Sequence, residues 1–350
     1  MSRDWVNLGV NYHPSPWRFQ AVWEGGAWSE GELVADASIT LSEGSTALHY
    51  GQQCFEGLKA HAGPDGEAYL FRPDQNAARM ARTAERLLIP PPPAELFLRG
   101  VEATVAANPQ ALPPHGCGAA LYLRPLLIGV GDNLGLRPAP RFLFRVFCSP
   151  VGPYFKAGLQ PIRLAVSPFD RVAARGTGSC KAGGNYAGGL YASRQAKQRG
   201  CDEALYLDPQ TRSFLDEAGS ANVFGILAGV DGGPDRLVTP ASASILPSIT
   251  MDALCTLARD DLGLVVERRP LPVSELSELR ELACAGTAAV VTPVSAVLLE
   301  DGVEITLPQP VGETTQRLHQ VLTGVQTGLL KDRWGWRRRV ERSAACGRQD

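Results

Sequence analysis

Ser179-Cys180-Lys181-Ala182-Gly183-Gly184-Asn185-Tyr186 sets one lysine inside a run of small residues. Thirty-six residues after that lysine the chain reads Glu217-Ala218-Gly219-Ser220-Ala221-Asn222-Val223-Phe224, an acid beside a second small-residue turn. Glycine and alanine have little or no side chain beyond Cα, so a planar ring can approach the backbone there. A lysine that must form a Schiff base with a ring aldehyde needs that clearance. An acid opposite it suits pyridoxal phosphate, whose pyridine nitrogen must stay protonated to act as an electron sink. Each half has a plainer reading. A lysine near glycines is commonly a solvated loop lysine, and E-x-G-x-x-N is commonly turn chemistry. The two together, at this spacing and ahead of an apolar strand, favour the cofactor.

The composition is compatible with an enzyme and excludes several other classes. A chain of 350 residues with 44% hydrophobic and 20% charged residues can build one large or two medium domains. The net charge of −2 gives no basic surface for nucleic acid or an anionic membrane. No apolar run approaches the roughly 20 residues that span a bilayer. The best candidate, 288–299, is short and contains Thr292, Pro293 and Ser295. The start, MSRDWVNLGVNYHPSP, has neither an apolar signal core nor an Arg/Ser-rich transit pattern, so a cytoplasmic location is expected. Eight cysteines (54, 117, 148, 180, 201, 255, 284 and 346) include no C-x-x-C pair. Metal-site and secreted-disulfide spacings are absent, and buried thiols in a reducing compartment are expected.

No repeat of 20–50 residues appears. The first half reads as α+β. Arg141 to Phe147 alternates as a strand does, and 119–128 reads as a buried strand carrying one charge, Arg124. Asp74 to Leu88 reads as a helix, with Pro73 near its start and Pro90 stopping it. Spacings of three and four put Arg79, Arg82 and Arg86 on one face, and a solvated face accounts for Arg82 and Arg86. Beyond a Pro- and Gly-rich connection at 150–161, strands are expected at 162–166, 204–207, 223–227, 237–239 and 265–268, with helices at 186–199 and 249–262. The end, from Trp336-Arg337-Arg338-Arg339 onward, is charged and aperiodic and reads as a mobile tail.

Further motifs run in order along the chain. They are Tyr50, Phe55-Glu56-Gly57-Leu58-Lys59, Phe71-Arg72-Pro73 with Asn76 and Arg79-Met80, Leu121-Tyr122-Leu123-Arg124-Pro125, and Val151-Gly152-Pro153-Tyr154-Phe155. Arg199-Gly200-Cys201, Val238-Thr239-Pro240, Ile245-Leu246-Pro247 and Gly286-Thr287-Ala288-Ala289 follow. With the lysine and glutamate stretches, the chain resembles the branched-chain amino acid aminotransferases, in the fold type IV (class IV) group of pyridoxal-phosphate enzymes, from about residue 5 to about residue 336. The resemblance implies a two-domain, D-amino acid aminotransferase-like α+β fold. Its small α+β domain would be 1–150, its connection 151–161 and its large mixed-sheet cofactor domain 162–336, with a tail at 337–350. It implies reversible transfer of the amino group of L-leucine, L-isoleucine or L-valine to 2-oxoglutarate. It also implies a homodimer, or an assembly of dimers, in which a loop of one chain's small domain reaches the other's site.

The resemblance assigns roles residue by residue. Lys181 would bind pyridoxal 5'-phosphate covalently and shuttle the proton. Glu217 would partner the pyridine nitrogen, with neighbouring Asp216 as the competing acid. Arg79, Ile249, Thr250 and Thr287 would hold the phosphate, and Tyr186 the ring's 3-oxygen. Arg171 would lie near the cofactor. Leu246 to Thr250 precedes an apolar helical period, which sets a helix N-terminus at the anion. Ser248 stands where relatives usually have glycine. Tyr50, Phe55, Tyr122 and Tyr154 would wall the side-chain pocket, for which core packing is the plainer reading of any one aromatic. Thr287 and Ala288 would meet the substrate α-carboxylate. Arg124 would accommodate the γ-carboxylate of glutamate. Some relatives carry a C-x-x-C pair where this chain has Ala289 and Thr292. Of the alternatives, D-amino acid aminotransferase and aminodeoxychorismate lyase share the lysine and the E-x-G-x-x-N turn. Neither is expected to combine F-E-G-L-K, L-Y-L-R-P and V-G-P-Y-F. A catalytically silent cofactor-binding protein is opposed by the presence of both Lys181 and Glu217.

Overall fold

The computed structural model describes residues 4–153 and 158–341. The chain divides into two compact units. One comprises Met1–Lys156, Cys180–Gly183 and Gly324–Asp350, and the other Ala157–Ser179 and Gly184–Thr323.

The first unit is an antiparallel sheet with helices on one face. Its strands are β1 (Arg18–Glu24), β2 (Ala27–Trp28), β3 (Glu32–Val34), β4 (Gln53–Phe55), β5 (Leu58–Ala62), β6 (Ala68–Phe71), β7 (Ala120–Val130) and β8 (Arg141–Val151). They run in the order β6-β5-β7-β8-β1-β2, with β3 also on β1 and β4 also on β7. The β7–β8 register is unbroken from Ala120 opposite Val151 to Val130 opposite Arg141. A short α1 (Thr46–His49) leads into β4, and α2 (Pro73–Arg86) and α3 (Ala94–Ala106) cover the sheet. Met80, Ala84, Phe97 and Val101 of these helices share one core with Phe19, Leu121, Leu123 and Phe144 of the strands. Full burial of such a leucine or phenylalanine is worth about 1.5–3 kcal/mol.

Two expectations need correction here. The strand expected to be buried, β7, is two-faced. Leu121, Leu123 and Leu127 are fully buried, while Tyr122, Arg124 and Leu126 are only partly buried on the other side. The period of two rescues the charge, because Arg124 does not have to enter the helix-covered core. On α2, Arg82 and Arg86 are exposed as expected, and only the placing of all three arginines on one face is corrected, because Arg79 is buried.

The second unit is built on a closed ring of strands. It contains β9 (Ile162–Val166), β10 (Glu203–Leu207), β11 (Phe214–Ala218), β12 (Ala221–Leu227), β13 (Arg236–Pro240), β14 (Val265–Arg269), β15 (Leu271–Pro272), β16 (Glu281–Gly286), β17 (Val290–Leu298) and β18 (Glu304–Thr306). The order β12-β16-β17-β9-β10-β11 returns to β12 through the β11–β12 hairpin. Leu164, Leu205, Leu215, Val223, Leu282 and Val294 belong to one apolar core. The parallel pairs β9–β10 and β13–β14 need crossover connections. Helices α4 (Gly183–Gln198) and α5 (Ile249–Asp260) supply them, and α6 (Glu313–Thr327) follows the last strand of this unit.

The expected tail is in part a strand. Arg337–Val340 forms β19, antiparallel to β6, with Arg337 opposite Phe71 and Val340 opposite Ala68. Val340 is buried, Arg338 pairs with Glu102 of α3, and Arg339 pairs with Glu67 at 3.4 Å. A run of arginines hides the period because long side chains carry their charges outward while their stems lie along the sheet. Residues 342–350 of the expected tail lie outside the described residues, as do 154–157 of the expected connection, whose Pro150 and Val151 instead finish β8.

Candidate active site

Lys181 is gripped by its backbone. Its N–H donates to Thr83 Oγ1 at 3.1 Å, and its carbonyl accepts from Phe55 N–H at 3.2 Å. Beside it Cys54 and Ala182 form an antiparallel bridge, so the small-residue run lies along β4 as an added edge. The Lys181 Nζ lies 4.8 Å from the Phe55 ring centroid. Arg124 Cζ lies 4.7 Å from the same centroid, so one ring attracts both an amine and a guanidinium.

Thr83 and Arg79 are four apart on α2 and share its buried side. Arg79 aims the Nε/Nη2 edge of its guanidinium at Glu56, with Nε to Oε1 and Nη2 to Oε2 both at 2.8 Å. Glu56 is fully buried and also accepts from Asn76 Nδ2 at 2.8 Å and from Gly57 N–H at 3.2 Å. The pair fixes Arg79, since a buried fork of this kind is the strong form of a charged hydrogen bond. Burial, then the Glu56 and Cys180 charges, push the Cys54 thiol far above the usual range, so it is no nucleophile. The Arg124 Nε and Nη2 donate to Tyr122 Oη at 3.3 and 3.2 Å. A Cβ on Gly57 would meet that same Tyr122 Oη at 2.3 Å, so only glycine lets the tyrosine lie there. Tyr50 is half exposed and donates from Oη to Leu134 O at 2.7 Å.

The second unit holds the acid. Glu217 lies on β11, opposite Asn222 of β12. Its Oε1 takes Arg171 Nη2 at 2.6 Å and Leu246 N–H at 3.3 Å, and its Oε2 takes Asn222 Nδ2 at 3.5 Å. Arg171 also donates to the carbonyls of Gly178 and Ser244. A guanidinium at this distance favours the ionised carboxylate. Asp216 points to the other face of β11, as alternation requires. It is buried, its Oδ2 accepts from Ser244 Oγ, and burial pushes its carboxyl up, against the lowering by Ser244. The two neighbouring acids thus differ in their partners: Asp216 meets the Ser244 hydroxyl, and Glu217 meets the Arg171 guanidinium.

Ser248 is the N-cap of α5, and its Oγ accepts from Met251 N–H at 3.1 Å. The hydroxyl does for the helix what glycine would not, which gives Ser248 a local reason. Ile249 and Thr250 open that helix, and Thr250 is buried. Tyr186 lies in the first turn of α4. Thr287 and Ala288 form the turn between β16 and β17, where Val290 adopts φ +59° opposite Gly286. A β-branched residue is rarely found there, and its strain pins the turn.

Lys181, Arg79, Phe55, Tyr122, Arg124 and Tyr50 therefore belong to the first unit, and Glu217, Arg171, Tyr186, Ile249, Thr250, Thr287 and Ala288 to the second. Tyr154 lies outside the described residues. Sequence reasoning misses two supporting residues, Glu56 and Thr83. The signal for Glu56 is its place in F-E-G, but its partner lies 23 residues on, and for Thr83 only the turn of α2 reveals the contact. Among the described residues no cluster of His, Cys, Asp or Glu could hold a metal ion, and no helix is long and apolar enough to cross a membrane.

Residues 53–297 match the family model of the class IV amino-transferases. The chain is 46% identical over 344 residues to a branched-chain-amino-acid aminotransferase of Haemophilus influenzae, covering 97% of this chain and 99% of that protein. It is 46% identical over 327 residues to the Helicobacter pylori protein of the same name, covering 93% and 94%. Among solved structures, the Escherichia coli branched-chain amino acid aminotransferase superposes with a TM-score of 0.76 at 26% identity, covering 93% of this chain and 100% of that one. The T.th. enzyme of that name, solved with pyridoxamine 5'-phosphate, gives a TM-score of 0.77 at 26% identity, covering 95% of this chain and 100% of that one. A lysine gripped against β4, an arginine-held glutamate on a closed strand ring, and this likeness along nearly the whole length agree: the chain belongs to the class IV, fold type IV aminotransferases and, within them, to the branched-chain-amino-acid aminotransferases.

Proposed function

We propose that the chain transfers the amino group of L-leucine, L-isoleucine or L-valine to 2-oxoglutarate, reversibly, with pyridoxal 5'-phosphate as its cofactor. The observation that carries this reading is the Phe55 ring shared by Lys181 and Arg124. It sets an amine and a fixed guanidinium on one aromatic wall. Such a wall takes an aliphatic side chain by excluding water from its methyl groups. The guanidinium adds a partner for the side-chain carboxylate of glutamate.

The donor set fits the cofactor. Lys181 would be the amine for its aldehyde, Glu217 a carboxylate beside a guanidinium for a ring N–H, and Arg79 and the capped start of α5 suit a phosphate. When bound, the cofactor supplies an aldehyde and a ring that can take up an electron pair. The protein's own groups do the rest. The Lys181 amine would hold the cofactor aldehyde and, when free, would act as the base that takes the proton from the substrate Cα. Its backbone grip by Thr83 and Phe55 fixes the Cα from which that side chain extends. Arg171 keeps a positive charge against Glu217 Oε1. Tyr186 would hold the ring's 3-oxygen, and Thr287 and Ala288 would take the substrate α-carboxylate.

The working form is a homodimer or an assembly of dimers. In support, the loop between β7 and β8 leaves Leu134 and Leu136 90% and 87% exposed. Yet the loop is braced from within. Asn133 Nδ2 donates to the carbonyls of Gly135 and Arg137, Arg137 Nε donates back to Asn133 Oδ1, and Leu134 O accepts from Tyr50. A rigid apolar tip suits a second copy of the chain. The described cysteines are thiols, most of them buried, which suits a reducing cytoplasm. The test of the activity is a panel of L- and D-amino donors with 2-oxoglutarate, with the product 2-oxo acid followed directly. Turnover confined to L-leucine, L-isoleucine and L-valine supports the reading. Preference for D-donors, or product without an acceptor, overturns it.

A further inference from the structure

The face of the first sheet away from α2 and α3 carries two basic side chains, Arg337 and His61, that the aminotransferase reading does not use. Along β5, β6 and β19 the residues on this face are Lys59 and His61, Tyr69 and Phe71, and Arg337 and Arg339. His61 lies opposite Tyr69, and Arg337 opposite Phe71, one step along the same face. The Arg337 guanidinium leans across the sheet and lies 3.7 Å from the Tyr69 ring centroid. A Cβ on Gly328, whose φ is +81°, would fall 2.6–2.8 Å from Nη1, Nη2 and Cζ of that guanidinium, so the chain opposite it has to be glycine.

Two atoms of this arginine are notable. Among the described residues, Nε and Nη2 are both buried without a hydrogen-bond partner, and so is Nε2 of His61. Nε and Nη2 form the side-on edge that takes a carboxylate with two parallel bonds. The same molecule shows that edge in use, for Arg79 presents its Nε and Nη2 to the two oxygens of Glu56. Arg337 presents the same edge with no carboxylate of the described chain on it. The nearby Asp65 is engaged by Tyr69 Oη and Glu67 N–H, and Glu67 pairs with Arg339. A buried donor left unmade destabilises a fold, and a charged one does so most, so an anion that satisfies this edge would be held firmly.

We propose that Arg337 and His61 form a binding site for the head group of a small free carboxylate, separate from Lys181 and Arg124. The Arg337 Nε and Nη2 would donate one bond to each oxygen, and His61 Nε2 would donate from the tautomer that carries its proton there. Lys59, on the same face of β5, adds a cation to the field. Tyr69 and Gly328 both lie against the guanidinium, and Gly63 and Asp65 lie toward its Nη2, so only a small group is compatible with these surroundings. The ligand class is therefore a monocarboxylate of the size of formate or acetate.

The test uses the full-length holoenzyme and 13C-labelled formate, with line broadening followed at constant ionic strength in chloride. Saturable broadening is expected, weakened about tenfold or more in Arg337→Gln and in His61→Phe, in keeping with loss of charged hydrogen bonds. Arg337→Lys keeps the charge but not the fork, and is expected to restore folding without restoring affinity. Broadening that persists in Arg337→Gln and disappears in Arg124→Ala would place formate in the substrate pocket and overturn the site. Absence of saturable broadening on the wild-type protein would also overturn it, whatever the variants do.

Discussion

Arg171 Nη2 lies 2.6 Å from Glu217 Oε1, and both side chains are nearly buried. The sequence places this arginine near the cofactor in its own right. Its bonds go to the acid and to two carbonyls, Gly178 and Ser244, so it holds Glu217 in place. Glu217→Gln should therefore do two things. It should slow the single-turnover rate by about 100-fold, the scale of losing one fixed electrostatic partner at a reacting group. It should also destabilise the fold by about 3–5 kcal/mol, because the buried arginine loses its counter-charge. Rapid-mixing absorbance and thermal melts measure the two effects. A variant that melts lower with an unchanged rate would make Glu217 purely structural.

Lys181→Ala should abolish turnover and the absorbance of the bound cofactor, while the circular dichroism of the protein stays that of the wild type. The contacts of residue 181 that shape the fold, to Thr83 and Phe55, are made by its backbone and survive the change. Near wild-type turnover in the purified variant would remove the lysine from the chemistry.

Arg124→Ala should separate the two half-reactions. The glutamate half-reaction is expected to lose about 10–100-fold in kcat/KM, the worth of hydrogen bonds to a charged group. The leucine half-reaction should change only a few-fold, since leucine offers nothing for the guanidinium to pair with. Equal losses would mean that stacking on Phe55 and Tyr122 is the only role of Arg124.

His61 supplies a pH dependence with a definite sign. Burial, followed by the Lys59 and Arg337 charges, pulls it down to about 3 from an ordinary value of 6.5. The folded state therefore binds fewer protons than the unfolded chain between those values. The stability tied to neutral His61 is complete above pH 6.5 and is lost as the pH falls towards 3, by up to about 1.4 kcal/mol per pH unit. Melting temperatures from about pH 7 to about pH 4 in non-carboxylate buffers should fall more steeply for the wild type than for His61→Phe. Parallel curves would show that His61 titrates normally.

Much of this architecture could be read in the sequence, and the parts that could not share a physical cause. Strand β8 announces itself by a local period of two, β7 by an apolar run, and helices α2 and α5 by a proline near the start or an apolar helical period. Lys181 and Glu217 stand in runs of small residues that few other constraints explain. By contrast, the Arg79–Glu56 fork joins residues 23 apart, and closing the second unit's ring requires knowing that β9 lies beside both β10 and β17. Such pairings leave no periodic trace, because register is fixed by the partner strand and not by the strand's own letters. Arg337–Val340 escapes for a different reason. The polarity of arginine conceals an alternation that only Val340, turned into the core, betrays.

That last strand bears on how the protein keeps to itself. The ring of the second unit has no ends, but the nine-stranded sheet of the first does, and β19 is one of them. An open strand edge is a template on which a foreign chain can add itself. Here the edge consists largely of Arg337, Arg338 and Arg339, and like charges brought together along a growing fibre repel. Trimming the chain ahead of Trp336 would strip off this guard and leave Ala68-Tyr69-Leu70-Phe71, short and strongly apolar, as the new rim. Shelf life and yield would then suffer before catalysis did, through slow fibrous deposition.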